Sequence, residues 1–385
     1  MTIDMTKAAP TADIARSLAP LLAARRDAAE TAACLDAEVD RAFADARLYL
    51  LVAPREYGGH EASIAEVIET VEALAVGDPG AAWHVANSVV AGVLGGCTDP
   101  DAARQLYAGP PRHFGFSAVP GGTATADPDR GGYRIEGRWP FVTGARSTGW
   151  VGLTAIVVGA DPPQARTFFV PASEVTVEDT WRGMLGMMSS GSHAVSASDA
   201  HSPAGLSFSF VDPQPRLARP MFLARPYLVF AATGIGVVLG VWQAALEATI
   251  AAVGGKRSSM DGSLQAELSS VQLAVAEAYA DLTAFRSGLL AESAAMWDRL
   301  SIAGHVTPAE RAPLWALLLR TPATARESIS RLYAASSTLA WPADHPVARA
   351  VRDIHSITVA FERFSKAMAD AGRAMTGLEP LMPPF

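Results

Sequence analysis

The sequence predicts an α+β fold in three consecutive blocks: an N-terminal helical domain (residues 1–112), a small central β-barrel or sandwich (113–215), and a C-terminal helical domain of the four-helix-bundle type (216–385). Three observations carry this. Apolar residues recur at helical spacing near both ends, whereas glycine, proline and threonine crowd the middle around short β-prone runs. The segment Tyr227–Leu246 is almost continuously apolar.

In the first block, Ala15, Leu18, Leu21 and Leu22 repeat with helical spacing, as do Val67, Ile68, Val71 and Leu74. Tyr57-Gly-Gly-His and Asp78-Pro-Gly divide the helices. Ser63 followed by Glu66 reads as a capping box opening a helix through Ala75. In the middle block, Tyr133-Arg-Ile-Glu-Gly, Trp150–Val158, Thr167–Val170 and Val175–Val177 read as strands. Turn clusters such as Asp127-Pro-Asp-Arg-Gly-Gly separate them, which predicts a compact antiparallel arrangement.

In the last block, Leu264–Leu300 lacks proline and predicts one extended helix or two. Pro308, Pro313 and Pro322 punctuate the next section, and Val347–Thr376 forms a final amphipathic stretch. Tyr227–Leu246 contains Gly236-x-x-x-Gly240 and has the length of a membrane helix. Gln243 inside it, Glu247 and Lys256 after it, and the lack of a second such segment favour a helix buried all round in a bundle, with no membrane partner. Its glycines also miss the spacing of a dinucleotide-binding fingerprint.

Composition narrows the function. The chain has 385 residues, 31 Lys+Arg against 39 Asp+Glu, and a formal charge of −8. That balance argues against nucleic acid as a partner. Half the residues are hydrophobic and 18% are charged, which excludes a disordered or fibrous chain. Cys34 and Cys97 cannot build a disulfide framework or a cysteine metal site, and no His/Asp/Glu set has ligand spacing, so no metal is expected. Met1-Thr-Ile-Asp-Met-Thr-Lys has no basic-then-apolar secretory pattern, which predicts a cytoplasmic location.

Four motifs in order sharpen the reading. They are Gly131-Gly-Tyr-Arg-Ile-Glu-Gly-Arg-Trp-Pro-Phe-Val-Thr-Gly, then Phe168-Phe-Val-Pro, then Trp181-Arg-Gly-Met-Leu-Gly-Met-Met-Ser-Ser-Gly-Ser-His, then Arg352-Asp-Ile-His. Their order and wording resemble the acyl-CoA dehydrogenase-fold superfamily, and the Gly-Arg-Trp-x-Phe-x-Thr-Gly form resembles its two-component, flavin-dependent monooxygenase branch. The resemblance runs from Glu56-Tyr-Gly-Gly to Gly372-Arg.

A flavin ring needs a flat apolar slot, a few donors at its polar edge and groups for its phosphate. Trp139 and Phe141 lie two apart, so on a strand they share a face; they serve equally as barrel core or as walls of such a slot. Thr143 and Gly144 offer a hydroxyl and an unencumbered backbone N–H, or else a plain turn. The resemblance favours the flavin reading for all four and adds Ser117. It also assigns Ser190, Ser192 and His193 to the ring or phosphate, where the residues alone read as a solvated turn. In the family an arginine near Lys256-Arg-Ser-Ser reaches the flavin phosphate, often across a subunit boundary; Arg257 is the matching candidate and Arg352 a second one, with a solvated surface arginine as the plainer reading of each.

The branch turns on two positions. In the commonest dehydrogenases of this fold a carboxylate base follows a tyrosine on the last long helix. Counted from Arg352-Asp353 that base falls at Phe361, and Glu362 is displaced by about 100°. The alternative base position, on Tyr227–Leu246, holds no acid. The resemblance therefore implies a monooxygenase of a small aromatic or polycyclic substrate. Reduced FMN or FAD from a separate flavin reductase would react with O2 to a C4a-hydroperoxide. Thr143 would sit near the flavin N5, and dimers or tetramers are implied. The family's last-helix histidine falls at Ala360, and His355 faces another side. His84 and Asn87, three apart and so on one helical face, are the candidate replacements, with a core histidine as the plainer reading of His84. An acyl-CoA dehydrogenase-like flavoprotein with a displaced base, and a homologue without flavin chemistry, remain the competing readings.

Overall fold

The structure, a computed structural model, describes residues 10–209, 213–257, 262–362 and 364–381. Helices α1 (Thr11–Ala32), α2 (Ala37–Asp45), α3 (Ile64–Gly77), α4 (Pro79–Gly95) and α5 (Pro100–Leu106) open it. Strands β1 (Phe114–Ala126), β2 (Gly132–Val142), β3 (Trp150–Val157), β4 (Ala165–Pro171), β5 (Thr176–Glu178), β6 (His193–Pro203) and β7 (Ser207–Phe208) come next. Helices α6 (Pro220–Leu223), α7 (Pro226–Gly254), α8 (Ser269–Ala303), α9 (Pro308–Ser336), α10 (Pro346–Glu362) and α11 (Ser365–Met375) complete it.

The Ser63–Glu66 capping box forms as the sequence predicts: the Ser63 hydroxyl accepts the Glu66 N–H, and the Glu66 carboxylate accepts the Ser63 N–H. Asp78 then starts α4 by accepting the Gly80 and Ala81 N–H groups, with Pro79 in the first turn, where its missing N–H costs nothing.

Helix α7 has the length and hydropathy of a membrane span, yet most of its apolar side chains lie inside the bundle. Its glycines explain the packing. A Cβ on Gly236 would come within 2.8 Å of the Ile68 carbonyl, and one on Gly240 within 2.5 Å of the Glu72 carbonyl, so glycine lets α3 and α7 meet backbone to backbone. A single core joins the two ends of the chain: Ile68 and Val71 of α3, Leu239 and Trp242 of α7, Leu318 of α9 and Ile354 of α10.

The sheet order is β5-β6-β2-β1-β3-β4-β7. It is mixed rather than wholly antiparallel, because β3 runs parallel to β1. The chain reverses twice between them and β2 takes the opposite edge of β1, so β3 returns in β1's own direction. The sheet rolls until Val195 of β6, Phe168 of β4 and Trp139 of β2 share one core.

Three helical expectations change. Residues before Ser269 form a short turn, so α8 starts later than Leu264. Pro313 and Pro322 lie inside α9 instead of ending it. Buried Leu314, Trp315, Leu318 and Pro322 hold the helix together against the ~3 kcal/mol that an interior proline costs. Val347–Thr376 is two helices, α10 and α11, with Phe364 turned into the core between them.

Candidate active site

A cleft of about 270 Å³ opens where β1, β2 and the 181–192 segment meet α4, α7 and α10. Phe141, Trp181, Trp83 and Phe230 give it aromatic walls; Thr143, Ser190, Ser192 and Ser117 give it hydroxyls; Asn87 gives it an amide. Among the described residues no carboxylate, histidine, lysine or arginine lines it.

The Gly-Arg-Trp-Pro-Phe-Val-Thr-Gly stretch builds its floor, though not as two residues on one strand face. The β2–β6 register shifts between Trp139 and Val142, and Phe141 adopts φ +61°, a backbone state that non-glycine residues avoid. The bulge sends the two aromatics apart. Phe141 is 62% exposed, stands edge-to-face to Trp181 at 6.1 Å and walls the cleft. Trp139 is fully buried on the far side, where its indole N–H donates to the Thr154 carbonyl at 2.6 Å and its ring covers Gly121 and Gly122. Trp139 is therefore core, and the expectation that it walls a flavin slot is corrected. A non-glycine residue in this backbone state persists only where its surroundings hold it there.

Thr143 is buried and its hydroxyl lies 3.1 Å from that of Ser192, which lies 2.9 Å from that of Ser190. The three hydroxyls form one chain along the cleft wall. Ser117 adds a fourth, donating to the Pro140 carbonyl at 3.3 Å. The Gly144 N–H is not free, as it donates to the Ser190 carbonyl at 3.0 Å. Gly144 (φ +61°) packs so tightly that a Cβ would fall 2.4 Å from the His113 ring.

The turn carrying these serines is anchored from below. The Ser189 hydroxyl donates to Asp78 at 2.6 Å, and the Met187 N–H donates to Asp353 of α10 at 2.8 Å. Arg26 of α1 pairs with Asp353. Burial raises the Asp78 carboxyl above the usual range, with Arg26 opposing it. His193 serves the same scaffold. Its Nδ1 accepts the Thr180 and Trp181 N–H groups at 3.2 Å, and its Nε2–H donates to the Ala33 carbonyl at 2.9 Å. It faces away from the cleft and holds Trp181 in place, which corrects its assignment to cofactor contact.

His84 and Asn87 part company. Asn87 lines the cleft and donates to the Trp83 carbonyl at 3.1 Å, so its partner on the cleft face is Trp83. His84 turns inward and is fully buried; its Nε2–H donates to the Ser189 carbonyl at 3.3 Å, and its Nδ1 has no hydrogen-bond partner among the described residues. Its ring sits 4.8 Å from that of His113. Burial holds both imidazoles below the ordinary histidine range, His84 strongly and His113 down to about 4, so both are neutral near pH 7.

The two arginines lie outside the lining. Arg257 is exposed and donates to the Gly262 carbonyl, and Arg352 lies on α10 one turn before Ser356, which does line the cleft. Ala360 forms part of the wall, whereas His355 is exposed. Phe361, at the dehydrogenase base position, packs into the core against Gly234 of α7, and Glu362 is exposed. Sequence patterning misses Trp83, Phe230 and Met187 as lining residues, and His113 behind them. An Ala-Trp-His run and a lone His before a strand carry no pattern that separates cleft from core.

The family model for the acyl-CoA dehydrogenase C-terminal domain matches residues 232–362. The chain is similar to a pigment production hydroxylase of Rhodococcus erythropolis, 27% identical over 80% of each chain. It is also similar to the oxygenase component of an FADH(2)-dependent resorcinol hydroxylase of Rhizobium sp., 28% identical over 86% of this chain and 85% of that one. Its fold matches XiaF from Streptomyces sp. in complex with FADH2 and glycerol, with a TM-score of 0.87 and 22% identity over 97% of this chain and 96% of that one.

Proposed function

Because the chain belongs to the acyl-CoA dehydrogenase-fold superfamily, in its flavin-dependent monooxygenase branch, we propose that the cleft between Phe141, Trp181 and Thr143 is where it holds reduced flavin and an aromatic substrate. The chain is an oxidoreductase, the oxygenase component of a two-component system that takes reduced flavin and O2 and hydroxylates an aromatic substrate. When bound, the flavin supplies the activation of oxygen.

The observation that carries the reading is the character of the cleft. Aromatic walls and a chain of hydroxyls suit a planar ring with a polar edge, and the dehydrogenase base positions hold no carboxylate facing it. Phe141 and Trp181 wall the ring. Thr143, Ser190 and Ser192 present hydroxyls to its edge, with Gly144 shaping the turn and Ser117 flanking it. Asn87, beside Trp83 and Phe230, orients the substrate. Aromatic walls offer water few polar partners beside the reacting centre, which favours oxygen transfer over waste as peroxide. Arg352, beside the cleft on α10, and Arg257, from a neighbouring copy, are the candidates for the flavin phosphate.

We further place the enzyme in the cytoplasm beside its reductase, as a homodimer or homotetramer. Leu273 and Tyr279, 60% and 64% exposed on α8, support assembly. Light scattering after size exclusion tests this, a monomer counting against it. The function itself is tested by supplying reduced FMN or FADH2 with indole or resorcinol as probes. Oxygen-dependent hydroxylation supports the reading, and oxidised-flavin binding with bleaching by an acyl-CoA overturns it.

A further inference from the structure

The peptide joining Thr143 to Gly144 is held at both ends. Its carbonyl accepts the Nε2–H of His113 at 2.8 Å, and its N–H donates to the Ser190 carbonyl at 3.0 Å. A carbonyl can only accept, so Nε2 carries the proton and Nδ1 is the acceptor. Ser88 of α4 completes the assignment, since its hydroxyl lies 2.9 Å from Nδ1 and itself accepts the Phe114 N–H at 3.2 Å. The main chain of His113 is fixed too, because its carbonyl accepts from the Thr148 hydroxyl at 2.9 Å and the Gly149 N–H at 3.0 Å. His113 is fully buried, edge-on to Tyr49 and next to His84, and it does not line the cleft.

The Thr143 hydroxyl heads the chain that runs through Ser192 to Ser190, and the same residue supplies the carbonyl of the peptide held by His113. We propose that His113 is a positioning residue of the oxygenation reaction: acting through the Thr143 carbonyl, it fixes the plane of the Thr143–Gly144 peptide and so the direction of the hydroxyl offered to the flavin edge. This rests on the assignment of the cleft to reduced flavin. Sequence patterning gives His113 no role, and it lies behind the cleft lining, not in it. Its effect is indirect, through a hydrogen bond that a side chain of equal volume does not replace. Gln puts an amide N–H near the place of Nε2 and keeps the bond; Phe keeps the bulk and loses it.

The test compares wild type, His113→Phe, His113→Gln and Ser88→Ala in the absence of any aromatic substrate. Each protein is loaded with reduced FMN and mixed with O2, and the interval between oxygen uptake and the return of oxidised-flavin absorbance is recorded. Reduced-FMN affinity is measured alongside. The expected result is an interval about tenfold shorter in His113→Phe, the scale of one lost hydrogen bond. Affinity should stay within about twofold, His113→Gln should be close to wild type, and Ser88→Ala should fall between. Nitrogen NMR of the flavin-free protein should show His113 as the Nε2–H tautomer. An unchanged interval in His113→Phe, equal loss in His113→Gln, or the Nδ1–H tautomer overturns the proposal. If His113→Phe does not fold, the Gln and Ser88→Ala ranking and the tautomer decide. A wild-type protein with no interval at all refutes the flavin reading itself, a result distinct from a failure confined to the variants.

Discussion

Asp353 on α10 accepts the backbone N–H of Met187 at 2.8 Å, and so ties the last long helix to the first residue of the turn that carries Ser189, Ser190 and Ser192. The same carboxylate pairs with Arg26 of α1, itself largely buried. Burial would lower the Arg26 pKa, but the Asp353, Asp78 and Glu30 carboxylates more than offset it and hold the guanidinium charged. Asp353→Ala should therefore remove one carboxylate partner of the buried guanidinium while Glu30 stays bonded to it at 2.7 Å, and cost about 3 kcal/mol of stability, the low end for a broken buried pair. Asp353→Asn keeps an acceptor for Met187 and should bind reduced flavin more tightly than Asp353→Ala. Denaturant melts and flavin titrations of the two variants check this.

Thr143→Ala should lower the hydroxylated product formed per reduced flavin by about 10–100-fold and raise hydrogen peroxide to match, the scale for removing one well-placed donor. Thr143→Ser should retain most of the coupling. Product and peroxide assays on the same reaction check it.

Stability should fall on mild acidification. His84 and His113 have depressed pKa values in the folded protein, so the unfolded chain takes up protons first as pH drops below about 6.5. Between there and about 4, where folded His113 titrates, each histidine should cost up to about 1.4 kcal/mol per pH unit. Asp78, with its raised carboxyl pKa, acts with the opposite sign at the acid end of that window. Urea midpoints from pH 7 to 4.5 should decline, and His113→Phe should flatten part of the decline. A level profile in the wild type is incompatible with two neutral buried imidazoles.

Gly144→Ala should destabilise by about 2–4 kcal/mol, combining a left-handed backbone with overpacking of the His113 ring. Thermal melts check this, and a change below about 0.5 kcal/mol would contradict the tight packing.

Ala360→His should place an imidazole on the cleft wall and give flavin reoxidation a titration near pH 6.5, which the wild-type cleft has no described residue to supply. Rate profiles from pH 5.5 to 8 check it.

Much of the fold is legible in the chain itself. Helix starts with side-chain caps, such as Ser63 with Glu66, declare themselves, because the cap is local chemistry. The buried α7 is readable from Gln243 and the glycines around it. Strand β1 is not, because Pro120, Gly121 and Gly122 look like a turn, whereas Gly122 pairs with Gly137 of β2 and Ala155 of β3 while the Trp139 ring lies over both glycines. Strand β6 escapes notice for its small polar residues. At the site, Thr143, Ser190 and Ser192 come from the motif, but Trp139 and Phe141 look alike in sequence and are separated by a bulge. His84 and His193 show the same limit. Which way an imidazole turns depends on the Ser189 and Ala33 carbonyls, far away along the chain.

The most direct test of flavin-dependent oxygenation in this cleft is an anaerobic titration with FMN and FAD, oxidised and then reduced, followed by rapid mixing with O2. Preferential binding of reduced flavin is expected, with a resolved interval between oxygen uptake and flavin reoxidation. Tight binding of oxidised FAD, immediate reoxidation and bleaching by an acyl-CoA would contradict it.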